Sequence, residues 1–212
     1  MLWTACEAGD IKKVQELLLT EDIDVNLVND EGRTAFDLAC RYGHLDIVKL
    51  LAIDERVDVN KGNRFQATPF YISCQEQHFE IVKYLVTNER IDVCKATDDG
   101  VTPFYCATYH GNLDIFLLLL NDTRVDVNQQ QSQGASPFLI ACEEGHVQIA
   151  KYFLADSRVD IAAPAQNGMT PFLIACREGH TEIVKLLLIE WILIFKWMME
   201  LHHFSFLVKE DI

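Results

Sequence analysis

The chain has 212 residues and a formal net charge of −14, from 18 Lys+Arg against 32 Asp+Glu. Half of it is apolar and 24% charged, the balance of a globular chain with a real core, which excludes a disordered or collagen-like one. So much negative charge repels a phosphate backbone, which sets nucleic acid aside as a partner, and an odd count of seven cysteines does not fit a complete disulfide framework.

In chain order, the first residues, MLWTACEAGDIKK, show no basic stretch followed by an apolar run, so the expected compartment is cytoplasmic, with the nucleus second. From Gly32 onward one pattern organises the chain. GRTAF, QATPF, GVTPF, GASPF and GMTPF begin at Gly32, Gln66, Gly100, Gly134 and Gly168, a constant step of 34 residues. In the same step run the pairs Gly43-His44, Gln77-His78, Gly111-Asn112, Gly145-His146 and Gly179-His180, and the triplets that start with Asp24-Val25-Asn26. Thr or Ser before Pro caps a helix whose first turn Pro presets, so the spacing predicts a helix over about Thr34–Tyr42. Gly43 takes the left-handed conformation that ends it, and Asp46-Ile47-Val48-Lys49-Leu50-Leu51 starts a second helix with apolar residues at helical spacing. The β-branched and polar stretch from Arg56 to the next Thr-Pro reads as an extended, hairpin-like finger. Helices of about nine residues are marginal alone, so stability has to come from stacking the units.

These residues resemble ankyrin repeats over residues 2 to 190: an N-terminal cap unit from Leu2, carrying Ala5-Cys6, Gly9 and Asp24-Val25-Asn26 in register, then five units. The resemblance implies an all-α solenoid of stacked helix–turn–helix units with β-hairpin-like fingers. It also implies a non-enzymatic scaffold or adaptor that binds a protein on its concave face. The chain departs from the family pattern where Phe36, Phe70, Phe104, Phe138 and Phe172 replace Leu. It departs again where Asp37, Tyr71, Tyr105, Leu139 and Leu173 replace His, and where one extra residue per unit falls near Asp54-Glu55-Arg56.

Cys6, Cys40, Cys74, Cys142 and Cys176 recur at one repeat position and read as small buried residues, too far apart on successive units for disulfides. His44, His78, His146 and His180 read as solvent-facing residues at the start of the second helix. No C-x-x-C, nucleophile elbow, P-loop or dinucleotide fingerprint is present, so the expectation is no enzyme, no cofactor and no metal. Arg56/Asp58, Arg90/Asp92, Arg124/Asp126 and Arg158/Asp160 read as inter-unit hydrogen bonding. By the resemblance, partner contacts fall on finger tips and the exposed flank of the first helix: Arg33, Tyr42, Phe65, Gln75, Glu76, Val101, Tyr105, Tyr109, His110 and Glu143. Tyr105 and Tyr109, four apart, are expected to stack; the alternative for Tyr71 and Tyr105 is that they fill the space left by the absent His. The acids Asp30, Glu31, Asp98, Asp99, Glu143 and Glu144 on that face favour a basic protein.

After Glu190 the pattern stops and WILIFKWMMELHHFSFLVKEDI follows, apolar and without Gly or Pro. Glu190, Lys196 and Glu200 interrupt it, which argues against a membrane span. The expectation is a non-repeat tail over 191–212 in which the second helix of the last unit continues and covers the end of the stack as far as about Leu201. The alternatives are self-association or membrane-surface docking through it, or a non-homologous terminus.

Overall fold

The structure, a computed structural model, describes residues 1–20 and 22–192. Six helix pairs follow one another: α1 (Leu2–Glu7) with α2 (Ile11–Leu18), α3 (Ala35–Arg41) with α4 (Leu45–Ala52), and α5 (Pro69–Gln75) with α6 (Phe79–Leu85). The remaining pairs are α7 (Pro103–Tyr109) with α8 (Leu113–Leu120), α9 (Pro137–Glu143) with α10 (Val147–Ala155), and α11 (Pro171–Glu178) with α12 (181–192). The first helices pack in a row, α1 on α3 on α5 on α7 on α9 on α11. The second helices α2 to α10 form a parallel row behind them. The array is thus all-α, two helices deep and built from neighbour contacts alone.

Local chemistry accounts for each pair. The hydroxyls of Thr34, Thr68, Thr102, Ser136 and Thr170 accept from the backbone N–H three residues on, at 3.0 to 3.3 Å. Each such cap is worth about 1 kcal/mol. Pro begins α5, α7, α9 and α11. The core is a continuous seam in which Phe36, Phe70, Phe104 and Phe138 are almost fully enclosed. In the fourth and fifth units Phe104, Phe116, Phe138 and Phe153 form one aromatic cluster, with ring centroids 5.0 to 5.8 Å apart.

The fingers are tight turns, and no strand occurs among the described residues. Asn63 N–H donates to Ala67 O and Gln66 N–H to Asn63 O, and the same pair of bonds recurs at Thr97 and Val101, then at Gln131 and Ala135. Single backbone bonds join neighbouring fingers, Asp98 N–H to Phe65 O, Ser132 N–H to Asp99 O and Gln166 N–H to Gln133 O.

Two expectations change. The histidines do not face solvent. His44, His78, His146 and His180 are half-buried, and each Nε2 lies 2.8 to 3.3 Å from a backbone carbonyl of the preceding unit: Glu7, Arg41, Tyr109 and Glu143. Each ring also covers that unit's glycine; a Cβ on Gly43 would stand 2.9 Å from Cε1 of His78. Next, Arg56 and Asp58 each make the expected inter-unit hydrogen bond, to Leu18 O and from Asp58 N–H to Asn26 Oδ1, but the carboxylate that holds Arg56 is Asp54 and not Asp58. The guanidinium bonds Asp54 at 2.7 Å and reaches back to Leu18 O at 3.0 Å. Arg124 and Arg158 repeat this with Asp122 and Asp156, and the hydrogen bond from each arginine holds its aspartate below the usual carboxylate range. The helix that begins at 181 runs through 190 without a break to 192, so the second helix of the last unit continues past Glu190. The expected cap over 191–201 lies outside the described residues beyond 192.

Candidate partner-binding face

The fingers and the first-helix row enclose the surface on which the sequence places partner contacts. A cleft of about 550 Å³ on it lies between the second and third units. Arg33, Phe65, Gln75 and Val101 line it together, with Tyr71 and Arg41. A second cleft of about 340 Å³ brings Tyr105 and Glu143 together with Gln131, Met169 and Arg177. Tyr42, Glu76, Tyr109 and His110 lie at the C-terminal ends of the first helices and line neither cleft.

Exposure separates these residues further. Phe65 is 72% exposed, Tyr42 47% and Tyr109 46%, whereas Tyr105 is buried at 7%. Tyr105 fills the space of the first turn of α7, and burial pushes its hydroxyl up to about 12 although Gln131 hydrogen-bonds it. It therefore offers a partner little area, and no ring pair joins it to Tyr109 among the described residues. Tyr109 instead meets His110 edge-on at 5.2 Å.

Charged groups on this face are partly paired already. Arg41 bonds Glu76 at 2.7 Å across the junction of the second and third units, Arg177 bonds Glu143 at 3.3 Å across the last one, and Arg33 pairs with Glu31. Under this surface Asp37, 1% exposed, has neither carboxylate oxygen hydrogen-bonded, and Arg41 Nε stands 3.8 Å away, also without a partner. Burial raises the Asp37 carboxyl to about 6; Arg41 and Arg33 pull it down, while Glu31 and Glu76 push it up.

Cys6, Cys40, Cys74 and Cys142 are buried as expected, and so is Cys106, which is off their position. Cys176 is exposed, because no described unit stacks on α11. At that end Phe172, Leu188 and Trp191 line an apolar cleft of about 440 Å³. Among the described residues no group of three His, Cys, Asp or Glu side chains is arranged to hold a metal, and no helix is long and apolar enough to cross a membrane.

Sequence reasoning missed one set of residues, the asparagines that close each unit. Asn26 donates to Arg56 O and accepts from Asp58 N–H, both at 2.8 Å; Asn60 and Asn128 do the same for the units after them. Cys94, at the same position, offers only its Sγ, 3.0 Å from Arg124 O. The signal was the recurrence of Asn within the Asp-Val-Asn block.

A family model described as ankyrin repeats, in three copies, matches residues 1–63, 53–131 and 123–192. The chain belongs to the ankyrin-repeat family, whose repeats mediate protein–protein interaction. A search of the curated proteins finds no match.

Proposed function

We propose that the protein is a non-enzymatic scaffold or adaptor that holds a protein partner on the face between its fingers and first helices. The observation that carries this reading is the contrast between two sets of positions. Repeat-invariant side chains are committed to caps, core and inter-unit bonds, while Phe65 on a finger and Tyr42 and Tyr109 at the C-terminal ends of first helices stand exposed. Exposed aromatics beside charge supply interface anchors. With the net charge of −14 and with Asp30, Asp98, Asp99 and Glu144 in no ion pair among the described residues, long-range attraction favours a partner of net positive charge.

An affinity pull-down with the full chain, followed by titration of the captured protein at two salt concentrations, tests it. Phe65→Ala with Tyr109→Ala should weaken binding at least tenfold while the helical signal stays intact, and association should slow as salt rises. Unchanged affinity in the double variant would remove the face from consideration.

A second reading rests on the C-terminal end, where Leu188, Ile189, Trp191 and Ile192 are 47 to 64% exposed. Contiguous apolar surface of this kind marks an interaction site, here between copies of the chain. Light scattering of Trp191→Glu with Ile192→Lys should then show a smaller species than the unaltered chain; identical mass for both rejects it.

A further inference from the structure

The chain has eight arginines, and their placement is uneven. Arg56, Arg90, Arg124 and Arg158 are spent on carbonyls of the preceding unit. Of the other four, Arg33, Arg41 and Arg64 all line the one cleft between the second and third units. In a chain of net charge −14 this is a local concentration of positive charge, opposed along the lining by Glu31 and Asp99. Glu31 is taken by Arg33, and Arg41 is taken by Glu76. Arg64 is exposed and makes no ion pair among the described residues.

The stem of Arg64 rests on the preceding finger. Its Cγ lies against Gly32 of the preceding finger, where an added Cβ would stand 2.9 Å away. The next residue, Phe65, has its N–H bonded to Asn63 Oδ1 and its carbonyl to Asp98 N–H, both at 3.0 Å, so the ring projects from a finger fixed on both sides. Across the cleft, Tyr71 and Val101 are half-buried and supply apolar wall. A guanidinium whose stem rests on the preceding finger, beside an aromatic ring carried on a braced turn and an apolar wall, loses less entropy on binding than one on a free loop. It complements a carboxylate adjoining a large apolar side chain.

We propose that the cleft between the second and third units binds a segment of the protein partner in which an acidic residue lies next to an aromatic or large aliphatic one. The carboxylate is received by Arg64, and the apolar side chain sits between Phe65, Tyr71 and Val101. This rests on the reading of the face as a protein-binding surface and adds to it. A partner drawn in by overall positive charge is seated by a local negative one, which fixes where along the array it lies.

The test is selection of random dodecapeptides displayed on phage, with the full chain, Arg64→Glu and Phe65→Ala as three separate targets. Matching thermal midpoints establish that the variants are folded. Peptides enriched on the unaltered chain should share an acidic residue beside an apolar one. Arg64→Glu should bind a synthetic copy of the best peptide at least tenfold more weakly, and replacing the peptide's acid by Lys should restore binding to that variant. Enriched peptides that are purely basic, or that bind Arg64→Glu as well as the unaltered chain, overturn this proposal and leave the protein-binding face standing. No enrichment on any target removes both.

Discussion

Asn112 stands over Gln77 where, at every other junction of the array that carries this pair in full, an imidazole stands over a glycine. Gln77 holds φ at +60°, a left-handed conformation that Gly9, Gly43, Gly111 and Gly145 adopt without strain. With a Cβ at this position the ring of a histidine would collide, since at Gly43 the distance would be 2.9 Å. The shorter Asn112 fits, turning its Oδ1 to cap Ile115 N–H at 3.1 Å and leaving a long 3.4 Å contact from Nδ2 to Gln77 Oε1. Cys94 replaces the closing asparagine at the same junction. Two inter-unit links are therefore weakened in one place, between the third and fourth units.

Gln77→Gly is expected to stabilise the protein by about 1 kcal/mol, because it removes the cost of a left-handed non-glycine residue. Adding Asn112→His should change little further, because the restored bond to the preceding carbonyl, about 1 kcal/mol, is offset by loss of the Asn112 cap on Ile115 N–H. Urea unfolding measures both, and a double variant no more stable than the original chain contradicts this account of the junction.

Gly43→Ala should act in the opposite direction. It introduces left-handed strain and also pushes the His78 ring off Arg41 O, so a loss of about 2 kcal/mol is expected. The same change at Gly179, which no side chain among the described residues approaches within 4 Å, should cost only the strain. Thermal midpoints of the two variants, compared side by side, separate the contributions.

Asp37→Asn should raise stability at pH 7 and do so less and less as the pH falls. A carboxyl whose folded pKa, about 6, exceeds its ordinary 3.8 binds protons more tightly when folded, so it opposes folding above pH 6 and the penalty fades between pH 6 and pH 4. A shift of about two units corresponds to about 3 kcal/mol at pH 7. Unfolding of both proteins across that range is the measurement, and a gap that stays constant from pH 7 to pH 4 rules out Asp37 as its source.

Thiol labelling of the native protein should mark Cys176 first and Cys94 next. Cys6 and Cys142, whose thiols burial pushes up to about 12, should react only as the array opens. Peptide mapping after a short exposure gives the order.

The helix pairs, their caps and the turns at Gly43 and its equivalents could all be read from the sequence, because each depends on residues three or four apart, such as Thr34 and Asp37. The links between units could not. His78 covers Gly43 and bonds Arg41, at separations of 35 and 37 residues, and nothing within one unit marks His78 as anything but an exposed side chain. Tyr105 left two readings open for the same reason, a partner contact or a ring filling the space of the absent His, and its burial at 7% appears only in the stacked array. The clustering of Arg33, Arg41 and Arg64 likewise appears only once two fingers and a helix are brought to one cleft.

The cluster of Phe104, Phe116, Phe138 and Phe153 gives the array an order in time. Neighbour-coupled arrays start folding where local coupling is strongest and grow outward from there. Four rings in edge and stacked contact make the fourth and fifth units that place. Growth toward the C-terminus meets the full glycine–histidine link at Gly145 and His180, whereas growth toward the N-terminus has to cross Gln77 and Asn112 first. The first three units are then the last to join in folding and the first to leave in unfolding, and they carry the arginine-lined cleft with them. Partner binding there would be felt as slower unfolding of the N-terminal half.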